Sequence, residues 1–300
     1  MILSSCWNAE RHSGWAGACA ELAAKGHLRV ALDGPALYPD AGAAKTALDA
    51  MKGGVDVLFA PAPTSARPDG APVAGVVGLC APRPEERVQA LRAASRAAQM
   101  AAAAGTGMVV LRAGGLPDPS LAGEPFSERL RRDGATPGLR TDVAAFHAET
   151  AVHRHRFLDG LCRSLFELCE RFPDHTFALE TPWTVSGVPR PDELSLVRSE
   201  LPGRRIAYWH DTAAAARLAA LGAVAAEHWL TELGPLTAGV TLCDWSSAGE
   251  RLPPGTGIVD WPALQAQLGA SMLRVLALDA RFPTVFFDEA VGQTLSLGVA

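Results

Sequence analysis

Lysine is nearly missing from this chain: Lys25, Lys45 and Lys52 are the only three among 300 residues, and arginine supplies the other basic side chains. None of the three ends a strand-like run, so covalent Schiff-base chemistry, which needs an amine at the reacting centre, has no residue to carry it. An excess of positive charge is missing as well, since 27 Lys and Arg stand against 32 Asp and Glu for a net charge of −5. A nucleic-acid backbone needs a basic face, so nucleic acid is not an expected partner. No uncharged apolar stretch is long enough to cross a bilayer, and the opening MILSSCWNAERH has no cationic segment before its short apolar run. A membrane partner is therefore not expected either. The six cysteines are scattered and include no CxxC pair. That is the distribution of reduced thiols rather than of a disulfide framework, and it points to the cytoplasm.

What is present is a repeated alternation. The chain is 48% hydrophobic, enough to bury a substantial core. Short aliphatic, β-branched runs recur between longer Ala/Leu/Arg segments with helical spacing, as in consecutive βα units around a parallel sheet. Eight runs are counted, at residues 1–7, 28–32, 73–80, 107–112, 176–180, 205–211, 238–244 and 272–279. VDVLFA, at 55–60, reads as an extension ahead of the third strand. Pro84 with Glu85 and Glu86, and Pro191 with Asp192 and Glu193, open two helices. A long helix is expected from about 142 to 171. No linker-like composition interrupts the series, so the expected fold is α/β, a single (β/α)8 TIM barrel spanning residues 1–300. The one long irregular insertion, 114–142 after the fourth strand, is expected to be a loop of the kind that serves as a lid.

In such a barrel the site lies where strand ends emerge at the mouth, and strand parity selects which side chains point inward. Small residues suit the narrow interior. That places Thr176, Ala178 and Glu180 inward on strand five, Ala207, Trp209 and Asp211 on strand six, Gly239, Thr241 and Cys243 on strand seven, and Val275, Ala277 and Asp279 on strand eight. Three carboxylates, Glu180, Asp211 and Asp279, are thus expected to converge. His210 and Asp244 have the opposite parity, and His147, His153 and His155 fall on a helix, where a solvated face is the default.

The segments CAPRPEERVQAL, FALETPW, AYWHDTAAA, GVTLCDWSSAGERLPPGTGIVDW and LRVLALDARF, in this order and spacing, resemble those of the xylose isomerase-like TIM barrels, which include sugar-phosphate isomerases and epimerases, inosose dehydratases and type IV AP endonucleases. Members with a working metal centre have a Glu ending strand five, an Asp on strand six, histidines on strands four, six and seven, and an acid on strand eight. Carried over, Glu180 and Asp211 are present and Asp279 replaces a Glu. The histidine positions hold Arg112, Ala214, Thr241, Cys243 and Arg251, the last preceded by Glu250. The carboxylates survive and the histidines do not. An AP endonuclease, which needs a trinuclear zinc site and a surface for DNA, is excluded by that loss.

Two accounts of the centre stay open. In one, Mg²⁺ or Mn²⁺ is held by Glu180, Asp211 and Asp279 with water, since oxygen ligands suffice for hard ions. In the other, no metal is bound, and Arg112 and Arg251 balance the carboxylates. What the resemblance implies is a sugar or polyol isomerase or epimerase moving a proton beside a carbonyl, with Glu180 and Asp279 as acid and base and Asp211 as ligand or orienter. Arg112, Trp183, Trp245, Glu250 and Arg251 are the expected substrate contacts, although both tryptophans equally suit a bracing role. The alternative is a catalytically degenerate, metal-free barrel that binds a small anionic ligand or serves as a subunit of an assembly. The expected partner is a small carbohydrate-like or anionic molecule, and self-association is left open.

Overall fold

The computed structural model describes residues 1–12, 14–33, 54–61, 78–116 and 125–300. Eight parallel strands close into a barrel: β1 (Ile2–Ser4), β2 (Arg29–Leu32), β3 (Gly54–Phe59), β4 (Met108–Leu111), β5 (Thr176–Glu180), β6 (Ile206–Asp211), β7 (Thr237–Leu242) and β10 (Leu273–Leu276). Closure is made by β1 on β10, with Ile2 opposite Val275. A short antiparallel hairpin of β8 (Asp244–Ser246) and β9 (Gly249–Leu252) stands after β7.

The expected third strand is misplaced by one segment. Gly54–Phe59 pairs with β2 on one side and β4 on the other, so the apparent extension is the stave itself. Residues 78–80 form a turn outside the sheet, and 73–77 lie outside the described residues. Two apolar runs competed for one place, and VDVLF alternates an intermediate Asp56 with buried Val55 and Val57, as a barrel strand requires.

Parity divides the core in two. Ile2, Ala31, Val57, Phe59, Val110, Ala178, Ala207, Trp209 and Val275 fill the barrel, and the alternate positions pack against the helices. Trp209 fits because Gly239 stands opposite it on β7: a Cβ there would lie 2.4 Å from the indole. The Trp209 indole N–H donates to Thr241 Oγ1 at 2.8 Å.

The helices are α1 (Trp15–Ala24), α2 (Pro84–Ala103), α3 (Phe126–Asp133), α4 (Pro137–Thr150), α5 (Arg154–Arg171), α6 (Pro191–Glu200), α7 (Thr212–Ala220), α8 (Ala226–Leu233), α9 (Trp261–Gln267) and α10 (Thr284–Ser296). Both proline-initiated helices begin where the sequence places them. Glu193 accepts from the Arg190 backbone N–H at 2.7 Å and so satisfies the entrance to α6. The insertion at 114–142 is not one irregular loop. It contains α3 and the first turns of α4, Gly115 bridges to Gly187, and 117–124 lie outside the described residues. The helix expected from 142 to 171 is α4 and α5 separated by a 3-10 turn, Ala151–His153. Among the described residues no helix is long and apolar enough to cross a membrane.

Candidate active site

Four strand ends deliver charged side chains to one place. Arg112 follows β4, and its Nε–H donates to Glu180 Oε2, at the end of β5, over 2.7 Å. Arg112 Nη2 also lies 3.5 Å from Asp33 Oδ2, just beyond β2. Arg251 reaches the same Asp33 oxygen at 3.0 Å from the hairpin. Asp33 is fixed through its backbone: its N–H donates to Ser5 Oγ, and the Ser5 hydroxyl donates back to its carbonyl, both at 2.9 Å. Asp211 ends β6 and caps α7, Oδ1 accepting from the Ala214 N–H at 2.8 Å.

Burial makes these charges costly and sets their protonation. Glu180 is 3% exposed and Asp211 is fully covered, whereas the Arg112 and Arg251 side chains each keep 20% exposure. Burial, with the Glu180 charge beside it, pushes the Asp211 carboxyl up to about 7. At Asp33 burial acts in the same direction, but the Arg251 and Arg112 guanidiniums outweigh it and hold the carboxyl below its usual range. Of the buried polar atoms without hydrogen-bond partners among the described residues, three belong to this group: Glu180 Oε1, Asp211 Oδ2 and Arg112 Nη2. Orphaned buried groups of this kind cost stability unless something binds them. Arg251 adds backbone strain, since it is the only non-glycine among the described residues with positive φ, at 50°.

No protein-family model matches the sequence, and no curated protein matches it. Solved structures do match. A putative xylose isomerase from Rhodospirillum rubrum superposes with a TM-score of 0.65 at 13% identity, over 100% of this chain and 97% of that one. A D-tagatose 3-epimerase-like protein gives 0.64 at 14% identity, over 98% and 96%. A 3-keto-D-glucoside 4-epimerase from E. coli gives 0.61 at 15% identity, covering 94% of both chains. The chain has the xylose isomerase-like barrel fold.

Within this xylose isomerase-like barrel the expected site residues separate into groups. Glu180, Asp211, Arg112 and Arg251 meet at the mouth, joined by Asp33. Asp279 is tied to them only through its backbone, its N–H donating to the Arg251 carbonyl at 3.1 Å, while its carboxylate turns to Arg281. Strand β10 ends at Leu276, so parity no longer governs position 279, and Asp279 lies 3.7 Å from Arg281 at the rim. Among the described residues no group of three or more His, Cys, Asp and Glu is arranged to hold a metal ion.

Trp183 and Glu250 belong to a neighbouring clamp. Arg217, on α7 and 3% exposed, pairs with Glu250, donates to the Trp183 carbonyl and lies 4.7 Å from the Trp183 ring centre. Trp245 is buried in the outer core, a brace rather than a ligand platform. Asp244, with outward parity, organises the Pro/Gly loop: it accepts from the backbone N–H of Trp245, Gly255 and Val259 and from the Trp261 indole, at 2.9 to 3.0 Å. His210 is buried against the Tyr208 hydroxyl at 2.8 Å, and burial holds its imidazole down at about 3. His153 and His155 are exposed. Half-buried His147 has one ring nitrogen 3.3 Å from the Val185 carbonyl.

Asp33 and Arg217 are the residues that sequence reasoning missed. Asp33 continues the inward parity of Ala31, so the signal was available. A mid-helix arginine such as Arg217 carries no such signal.

Proposed function

We propose that this protein is a sugar or polyol isomerase or epimerase that moves a proton at a carbon beside a carbonyl, with Glu180 and Asp211 as the exchanging pair. The observation that carries this reading is the pair of bare carboxylate oxygens, Glu180 Oε1 and Asp211 Oδ2, buried in one site. Burial and the neighbouring Glu180 charge raise the Asp211 carboxyl toward neutrality, which favours the protonated form that a proton donor needs. The names of the fold's neighbours, a D-tagatose 3-epimerase-like protein and a 3-keto-D-glucoside 4-epimerase, support the substrate class.

In the forward step the Glu180 carboxylate removes the carbon-bound proton and the electron pair shifts toward the carbonyl oxygen. Protonated Asp211 then returns a proton to carbon. Glu180 ends protonated and Asp211 ionised, and exchange with solvent restores the starting form. Charge in the site argues for a neutral, hydroxyl-bearing ligand over an anionic one, because Arg112 and Arg251 are already paired with Glu180 and Asp33.

Incubation with a panel of free ketoses and keto-glucosides in D₂O tests the proposal. Deuterium should enter the carbon beside the carbonyl with the native protein and be lost in Glu180→Gln. Absence of exchange with every member of the panel would sink the reading.

A further inference from the structure

We infer that Arg112 and Arg251, locked together through Asp33, form a built-in cationic centre that takes the place of a divalent ion, with Arg112 Nη2 as the donor to the substrate's carbonyl oxygen. This rests on the proton-transfer reading of the same site.

The donor chemistry does not fit a metal. A divalent ion among Asp33, Glu180 and Asp211 would need carboxylate oxygens that the guanidiniums already hold: Glu180 Oε2 is taken by Arg112, and Asp33 Oδ2 lies against both arginines. It would also stand beside two positive charges in a poorly solvated place, where repulsion is only weakly screened. The two guanidiniums together carry the charge such an ion would bring. They are fixed before any ligand arrives, as electrostatic stabilisation of developing negative charge requires.

Three features point to use rather than mere neutralisation. Arg112 Nη2 is buried and makes no hydrogen bond, its ion pair with Asp33 Oδ2 standing at 3.5 Å, so an N–H is left for an acceptor oxygen. Glu180 Oε1 and Asp211 Oδ2 are equally unpartnered in the same site, so a ligand there meets one donor and two acceptors. Arg251 is kept at a left-handed φ of 50°, where glycine or asparagine would rest more easily, and it is this backbone conformation from which its guanidinium meets Asp33.

The test begins with native protein dialysed against EDTA. Calorimetric titration with Mn²⁺ and with Mg²⁺ should show no binding, and Tm should move by less than about 1 °C at a millimolar concentration of either ion. Stoichiometric binding with a Tm rise of several degrees would overturn the inference. The double variant Arg112→Gln, Arg251→Gln frees Asp33 and Glu180 from the guanidiniums that hold them apart from a metal-binding arrangement, so that with Asp211 they can regroup and should acquire measurable Mn²⁺ binding that the native protein lacks. Failure of a folded double variant to gain it would also overturn the inference, since the arginines would then not be what excludes the ion. Should the double variant not fold, Arg251→Gln alone is titrated against the same criterion. Deuterium exchange by the chelated native protein separates the two proposals. Mn²⁺ binding together with metal-dependent exchange defeats only the cationic centre, whereas no binding and no exchange defeats the assigned reaction and with it the donor role of Arg112 Nη2, while the exclusion of the ion stands.

Discussion

Asp211 does two jobs with one carboxylate. Oδ1 caps α7, and Oδ2 is buried without a hydrogen-bond partner. Asparagine can keep the first job and cannot do the second, so Asp211→Asn should fold normally and lose at least about 100-fold of the proton-exchange rate. Its stability should also depend on pH. The carboxyl is raised from 3.8 to about 7, so over that interval the native state holds a proton that the unfolded chain has released. The resulting stabilisation is complete below about pH 4 and is lost as pH rises through about 7. Asp211→Asn, which cannot ionise, should therefore gain Tm relative to the native protein between pH 5 and pH 8, and a difference that stays flat across that range would contradict the assignment. At Asp33 the balance runs the other way. Asp33→Asn takes a buried anion from two partly exposed guanidiniums, one of which keeps Glu180, and should cost about 1.5 to 3 kcal/mol in urea denaturation. Glu180 and Asp211 were legible because strand parity and a narrow interior leave an end-of-strand acid only one way to point. Asp33 obeyed the same rule one residue past β2. Asp279 failed it because β10 ends three residues earlier.

Two loops in this barrel are organised by single polar side chains, Asp244 and Arg217. Asp244 gathers four N–H donors, three of them from a segment more than ten residues downstream, and so shapes the turn that leads into α9. The PPGTG turn was readable as structural, whereas its anchor was not, because outward parity on a strand end normally means contact with a helix. Asp244→Ala should cost about 2 to 3 kcal/mol, since each donor it leaves unpaired carries a desolvation penalty. Amide exchange should accelerate at Gly255 and Val259 while the barrel strands keep their protection. Uniform acceleration through the strands would show that Asp244 holds more than the loop. Arg217 does comparable work between the segment after β5 and the hairpin, through Trp183 and Glu250. Its burial depends on partners from two distant segments, which is why nothing in its own helix announces it. The third strand illustrates the same limit. Two neighbouring apolar runs both have local propensity for extension, and the pairing of Gly54–Phe59 with both β2 and β4 decides between them.

At the scale of the whole molecule, eight-fold alternation was readable because each βα unit repeats one pattern, but the way the ends of the chain lock the barrel shut was not. The first strand has only three residues and relies on the segment immediately after it. Trp7, fully buried, stacks on Phe287 of α10 with ring centres 4.1 Å apart, and its indole N–H donates to the Phe282 carbonyl at 2.9 Å. The Arg11 guanidinium covers the same ring at 4.1 Å. One side chain near the start of the chain thus fastens the last helix beside the β1 to β10 seam. Large buried aromatics contribute through both the area they remove from water and the cavity their loss would leave. Trp7→Ala should accordingly destabilise the protein by about 3 to 5 kcal/mol. The urea midpoint should fall with an unchanged slope if the barrel still unfolds as one unit. Phe287→Leu, which keeps much of the volume, should lose less, and the double substitution should fall short of the sum because the two side chains share one contact. Strict additivity of the pair would mean that Trp7 stabilises only its own turn, Ser5–Trp7, and that the seam is held elsewhere.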